Sequence, residues 1–427
     1  MAENDIYNNK SKYENFIKNL NELIEIPGKD NKIRKYYCKN KVNLNYYKIF
    51  FKKFEARDLS YVRRCRLVNS MRLITFATDK DLSKCNRDDI DNIVSFMHSV
   101  YLAKKSKENF ITDIKYMWKL LFPEKDEKGR IDDTLVPYPV RHISNKIQKS
   151  KERLKLDRFS FEEFENIINY FGNDSKMQCY LTLSIESLAR PQELCYLKLK
   201  NIELSDNYAK IYLTEHTKTG VGFLQCIESF PYLTKWLNAH PFKSDLNSYL
   251  FVKYDKHNPK EQLNPKLINE RIRIALKILG INKPITCYSL KRNGVTIRRL
   301  RGESDVEIQH VARWNSTKQI KTYDMSHQED SFKLALIRKG LITPSEKEKQ
   351  QLNGLTRLCL FCKTVNGFND DFCVNCKRPL DRKKIELLEQ QENKNMEQIK
   401  EVLQILLKNA DEKLSQEEKM KIKQIFD

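Results

Sequence analysis

No stretch of this sequence approaches the roughly 18 consecutive apolar residues that a membrane-crossing helix needs. Its first residues, MAENDIYNNKSKYENF, lack the apolar core of a secretory signal peptide. Together these absences set the expectation of a cytoplasmic, nucleoid-associated protein with no membrane partner. No glycine-rich phosphate loop occurs, so no nucleotide cofactor is expected. No internal repeat is evident. Negative charge is in deficit: 57 Asp plus Glu stand against 78 Lys plus Arg over 427 residues, a net +21. The pI is near 9.3. A balance this basic points to a polyanionic partner, with nucleic acid ahead of a membrane surface. The length allows two or three domains with proper cores.

The deficit of acids is sharpest in KIRKYYCKNKVNLNYYKIFFKKF, residues 32–54, which holds eight basic residues, seven aromatics and no acid. Aromatics at this density belong to a core more often than to a base-stacking platform, but unopposed cations are what phosphate contacts require. Residues 1–122 read as helical. Ile90, Ile93, Val94, Met97 and Val100–Tyr101 follow amphipathic spacing. Residues 123–157, with PEKDEKGRIDD, PYPVRH and KIQKSKERLK, read as a basic linker, turn-rich and polar. A second domain is expected over 158–345, opened by Ser160 and Glu163 as a capping box, with Pro191 in the first turn of a later helix. YAKIYL and GFLQCI read as two strands joined by TEHTKTGV. The expected fold class is therefore mainly α with a small antiparallel β-sheet. Residues 381–427 read as a C-terminal helix in which Ile385, Leu388, Ile399, Val402 and Leu406 fit heptad positions and Glu392 and Asn395 interrupt the seam, so a short coiled coil or a helix docked on a protein partner is expected. That tail carries ten basic and eleven acidic residues, which leaves the net positive charge in the rest of the chain.

Seven of the eleven cysteines, at 38, 65, 85, 179, 195, 226 and 287, stand singly and read as buried thiols of a reducing compartment. The other four, Cys359, Cys362, Cys373 and Cys376 in CLFCKTVNGFNDDFCVNC, are spaced C-x2-C-x10-C-x2-C. Each C-x2-C can turn two thiolates toward one tetrahedral ion, so residues 356–380 are expected to form a ribbon around one structural Zn2+. Four protein ligands leave no open position, and no catalytic metal is expected. Whether the ribbon meets DNA or a protein partner does not follow from the spacing.

SLARPQELCYL places Arg190 at a helix junction with Glu193 three residues on. An arginine in apolar surroundings needs a partner, which admits either a structural ion pair or a cation held at a cleft by its carboxylate. Downstream, Lys218 lies in EHTKTGVG, two adjacent cations lie in YSLKRNGVT (288–296), and Trp314 precedes Tyr323 by nine residues in VARWNSTKQIKTYD.

In the order, spacing and character of these blocks the chain resembles the tyrosine recombinases, the integrase family. ARPQEL matches the motif that supplies the family's first active-site arginine, here Arg190. The resemblance gives Lys218 the hairpin-turn lysine, Trp314 the G-H or Trp position and Tyr323 the nucleophile. YSLKRNGVT aligns with H-x-L-R, which puts Tyr288 at the histidine and Lys291 at the arginine. Arg292 is the alternative second phosphate-binding cation and is slightly favoured, because two guanidinium groups suit the transition state better. The resemblance covers about three quarters of the chain. It implies a helical core-binding domain over 1–122 and a catalytic domain over 158–345. The ribbon and tail are similar to additions on some archaeal-type integrases.

What the resemblance implies is site-specific breakage and rejoining of double-stranded DNA through a 3′-phosphotyrosyl intermediate, by a homotetramer on paired sites, for integration or excision of a mobile element. The residue types suit that chemistry. A covalent intermediate conserves the bond energy of the broken strand. Guanidinium groups stabilise the charge that builds on the phosphate oxygens. A desolvated lysine can protonate the leaving 5′-oxygen. The alternative, from a different class, is a DNA-binding protein of the same fold with impaired cleavage, a reading that Lys291 supports.

Overall fold

The computed structural model describes residues 5–21, 36–132, 134–144, 156–213, 222–254, 257–345, 354, 356–368 and 370–410. The chain divides into two compact units, Met1–Leu154 and Lys155–Asp427. Among the described residues no helix is long and apolar enough to cross a membrane.

The first unit is helical: α1 (Asn9–Lys18), α2 (Leu44–Ala56), α3 (Tyr61–Ala77), α4 (Arg87–Val100), α5 (Lys104–Leu121) and the short α6 (Tyr138–Arg141). The aromatics of the acid-free stretch form much of its core, with Tyr47, Phe50 and Phe54 fully buried. The cations between them, Lys48, Lys52 and Lys53, are exposed, as period-3.6 alternation dictates. Helix α4 starts at a capping box between Asn86 and Asp89 and buries Ile90, Ile93 and Met97. Part of the expected linker departs from expectation. Val140 and Ile143 join this core, and Arg141 lies within 3.7 Å of Glu124. The apolar residues of PYPVRH bury area that a free linker would leave in water, which is why the chain folds back there. The basic run KIQKSKERLK lies outside the described residues.

The second unit holds α7 (Phe161–Tyr170), α8 (Ser175–Ser187), α9 (Pro191–Cys195), strands β1 (Ile202–Leu204), β2 (Ala209–Tyr212) and β3 (Phe223–Cys226), then α10 (Phe230–Ala239), α11 (Pro265–Ile278), α12 (Cys287–Arg301), α13 (Asp305–Ala312), α14 (Ile320–Tyr323) and α15 (Gln328–Arg338). The Ser160–Glu163 capping box forms, with Ser160 Oγ accepting from the Glu163 N–H at 3.1 Å. Every residue of α8 from Lys176 to Ser187 is buried, the mark of a central helix. α12 and α10 pack against α8. Buried Glu186 near the end of α8 accepts from the backbone N–H groups of Ile227 and Ser229 and from the Ser229 hydroxyl, and so ties β3 and the start of α10 to the same helix.

The sheet is antiparallel in the order β1-β2-β3, with Ala209 opposite Cys226 and Tyr212 opposite Phe223. Strand β1, only three residues long, was not anticipated from the sequence. The β2–β3 connection, and Lys218 with it, lies outside the described residues.

A hairpin of β4 (Thr356–Leu358) and β5 (Val365–Gly367) precedes the long α16 (Arg382–Ala410). Residues 411–427, the end of the expected helix, lie outside the described residues.

Candidate active site and metal centre

Four short segments of the second unit converge on one cluster. The first is the α8–α9 junction. Leu188 adopts the left-handed conformation that ends α8, and Arg190 is the N-cap of α9. Pro191 at the first helical position has no N–H to satisfy, so the turn is compatible with a helix start. Glu193 folds back on Arg190: Oε2 accepts the Arg190 backbone N–H at 2.8 Å and Oε1 accepts from Nη1 at 3.0 Å. The Arg190 side chain stays partly exposed while that of Glu193 is nearly inaccessible. The two readings of this pair therefore merge, since the pair forms and the guanidinium keeps other N–H donors.

The second segment is α12, which crosses α8 at close range at Gly294. A Cβ there would overlap the Ile185 carbonyl oxygen and stand 2.6 Å from Leu188 Cδ2. One turn earlier Lys291 is fully buried, and its Nζ has no hydrogen-bond partner among the described residues. Arg292 points elsewhere, to an ion pair with Asp157 near the start of the unit. The expectation that slightly favoured Arg292 as the inward cation is corrected accordingly. Adjacent helical residues differ by about 100° in direction, and Asp157 claims the second one. Tyr288 is 43% exposed on the first turn of α12.

The third segment is the end of α13. Arg313 takes a left-handed conformation, φ 55°, and reverses the chain. Its Nη2 donates to Glu193 Oε2 at 3.1 Å and its Nη1 to the Val311 carbonyl at 2.8 Å. Sequence reading passed over Arg313. The only signal was an arginine next to Trp314 in an otherwise apolar stretch. Trp314 follows, 7% exposed, with its indole Nε1 unpartnered among the described residues.

The fourth segment is α14, whose last residue is Tyr323. Its ring lies 5.1 Å from that of Trp314, and both join a small core with Leu188, Val295 and Ile320. The chain beyond is held by the Met325 N–H donating to Thr296 Oγ1 of α12 at 2.9 Å. Lys291 Nζ stands 5.3 Å from the Trp314 ring centre and 5.6 Å from that of Tyr323.

The cluster is cationic and under-bonded. Among the described residues one carboxylate, Glu193, is hydrogen-bonded to two guanidinium groups and acts on Lys291 through its charge alone. Burial, together with Arg190 and Arg313, lowers the Lys291 pKa to about 7 against the pull of Glu193. Lys291 Nζ, Arg313 Nε and Trp314 Nε1 are buried donors without acceptors among the described residues. An unmet buried donor costs on the order of 1–3 kcal/mol, so three in one place describe a site suited to an anion rather than a core optimised for stability. Of the residues singled out from sequence, the structure brings together Arg190, Lys291, Trp314 and Tyr323. It leaves Arg292 on Asp157 and Tyr288 at the surface.

The four clustered cysteines meet, with their Sγ atoms all within 4.8 Å of one another. Cys359 and Cys376 are 3.6 Å apart and Cys362 and Cys373 3.5 Å apart. A tetrahedron with Zn–S bonds of about 2.3 Å has edges near ~3.8 Å, so the set fits one such ion. Each knuckle turns through a left-handed lysine, Lys363 (φ 59°) or Lys377 (φ 61°), that donates its N–H to the first cysteine's carbonyl. The ribbon is seated on the helices of its own unit. Phe368 is fully buried, its ring 5.6 Å from Phe161 of α7 and 6.5 Å from Tyr232 of α10. At Gly367 a Cβ would come 2.9 Å from the Tyr232 hydroxyl, so only glycine allows that approach.

Residues 156–329 match the model of the phage integrase family. No curated protein sequence matches the chain. Among solved structures, the chain is similar to the Tn1549 transposon integrase in complex with circular intermediate DNA, at 13% identity and a TM-score of 0.53, over 69% of this chain and 99% of that one. It is also similar to a lambda integrase dimer bound to a COC′ core site, at 15% identity and 0.51, over 66% and 96%. The XerH site-specific recombinase bound to palindromic difH substrate gives 14% and 0.51, over 79% and 97%. At such identities the likeness shows the fold, and it agrees with the mainly helical architecture and its small antiparallel sheet. The likeness to the phage integrase family thus falls on residues 156–329, under half of the chain, and the solved structures share its fold.

Proposed function

We propose that this chain is a site-specific DNA recombinase that cleaves and rejoins double-stranded DNA through a 3′-phosphotyrosyl intermediate on Tyr323. One observation carries the reading: buried donors of Lys291, Arg313 and Trp314 that lack partners among the described residues, and the partly exposed Arg190 guanidinium, converge beside Tyr323, which packs on the small core that holds Trp314. Arg190 and the Trp314 indole N–H meet the oxygens of the scissile phosphate. Glu193 orients Arg190 and is itself held by Arg313. Lys218 protonates the leaving 5′-oxygen. Tyr288, exposed at the start of α12, reaches a phosphate oxygen of the bound strand, and Arg292 serves the fold through Asp157.

The first unit binds the duplex through its exposed cations, and protomers assemble as a tetramer on paired sites. The likeness to a transposon integrase bound to circular intermediate DNA and to lambda integrase bound to a COC′ core site supports integration or excision of a mobile element. The ribbon holds one structural Zn2+, which ties its two knuckles together. No step of the reaction runs through it.

A nicked suicide substrate tests the reading. The wild type is expected to accumulate a covalent protein–DNA adduct that Tyr323→Phe abolishes. Specific binding with no adduct in the wild type would favour the alternative, a DNA-binding protein with lost cleavage, which the lysine at position 291 supports.

A further inference from the structure

We propose that Lys291 is the general base of the cleavage step, taking the proton from Tyr323 as the phenolic oxygen attacks phosphorus. The inference rests on the recombinase reading above and assigns a role that a phosphate-gripping cation would not have. Three features of the geometry carry it.

First, Lys291 turns inward from α12, and its Nζ is buried without a hydrogen-bond partner among the described residues. Secondly, the carboxylate that acts on it among the described residues is already engaged. Glu193 Oε1 accepts from Arg190 Nη1, and Oε2 accepts from the Arg190 backbone N–H and Arg313 Nη2. An ammonium would lack a counter-charge of its own, whereas a neutral amine needs none. Thirdly, the amine faces both the Trp314 and the Tyr323 ring from one side of the pair, at 5.3 and 5.6 Å from their centres. Catalytic hydrogen bonds commonly tighten only once substrate is bound.

The charges that act on the amine are Glu193 and Arg190 of α9 and Arg313 at the end of α13, and Tyr323 of α14 is the titratable ring beside it. The other helices packed on α12, namely α8, α11 and α15, bring none of the charges that act on it among the described residues. Burial beside two guanidinium groups lowers its pKa to about 7, so a large fraction is neutral near physiological pH. Arginine at this position would be charged at every relevant pH and could not accept a proton.

The step balances. The Tyr323 O–H proton passes to the Lys291 amine, the phenolic oxygen bonds to phosphorus, and the bond from phosphorus to the 5′-oxygen breaks. The leaving oxygen takes a proton from the general acid, the role proposed for Lys218. In the reverse reaction the Lys291 ammonium returns its proton to the departing phenolate.

Single-turnover cleavage of the nicked substrate between about pH 6 and 9 tests this. The wild-type rate should rise with pH along a limb at 7 or somewhat above, because the phosphodiester charge raises an amine's pKa. Lys291→Arg should cleave roughly 10²-fold more slowly and lose that limb. Lys291→Met, which removes both charge and lone pair, should still bind the site specifically and be equally slow. A substrate with sulfur in place of the leaving 5′-oxygen, which needs no proton, should rescue neither variant. A flat wild-type profile, Lys291→Arg within threefold of wild type, or rescue by the sulfur substrate would each overturn the assignment. Absence of any wild-type adduct would overturn the recombinase reading, and this assignment with it.

Discussion

At the scale of single residues, the site is built around one carboxylate shared by two arginines. Arg313 can be tested apart from its backbone, because its left-handed φ suits glycine. Arg313→Gly should fold, with a loss of stability of no more than about 3 kcal/mol in denaturant, while single-turnover cleavage falls by roughly tenfold or more as Glu193 and Arg190 lose their brace. Cleavage at the wild-type rate would remove Arg313 from the account. Lys291 makes a stability prediction with a definite sign. Its folded pKa is about 7 against an ordinary 10.5, so the folded state is penalised wherever the unfolded chain holds the extra proton. Lys291→Met should therefore stabilise the protein by up to a few kcal/mol at and below pH 7, with the gain shrinking as pH rises toward 10. The legibility of these residues followed sequence distance. Arg190 and Glu193 are three apart, and their contact could be read directly. Arg313 meets Glu193 across 120 residues, and Arg292 meets Asp157 across 135. Nothing local in ARWN or LKRN reports either partner, so the brace was missed and the wrong one of two adjacent cations was slightly preferred.

At the scale of elements, helix starts were the most readable feature, since capping residues and apolar period act within a few positions. The Ser160–Glu163 box and the amphipathic face of α4 formed as their spacing predicts. Strand β1 and the fold-back of residues around Val140 depend on partners supplied by tertiary packing and left no local pattern. Gly294 illustrates the same limit: within YSLKRNGVT it looks like a weak point in a helix, yet it is where α12 meets α8. Gly294→Ala should cost about 1–3 kcal/mol by chemical denaturation and weaken cleavage, because the overlap pushes against backbone. An unchanged midpoint would contradict the close crossing. The ribbon was legible as a metal site and illegible as a docked element, since Phe161 and Tyr232 lie far from Phe368 in sequence. Phe368→Ala should make residues 356–380 markedly more sensitive to limited proteolysis. Chelation should expose the four thiols at 359, 362, 373 and 376 to alkylation ahead of buried ones such as Cys179 and Cys195.

At the scale of the whole molecule, the net charge of +21 and the cluster around Tyr323 point to the same partner by independent routes, one through long-range electrostatics and the other through local chemistry. Binding to duplex DNA should weaken steeply with salt, with log affinity falling against log salt at a slope of about −5 or steeper, since each phosphate neutralised adds about −0.9. Removing residues 381–427, which carry ten basic and eleven acidic side chains, should leave that slope unchanged. A shallow slope would place the positive charge outside the binding surface. The central claim, however, concerns covalent chemistry at one of twenty tyrosines. It is tested most directly by trapping the adduct on a suicide substrate, trimming the DNA with nuclease and locating the nucleotide-bearing peptide by mass spectrometry. The account predicts the tryptic peptide TYDMSHQEDSFK, residues 322–333, whose single tyrosine is Tyr323. A nucleotide on any other tyrosine would contradict it.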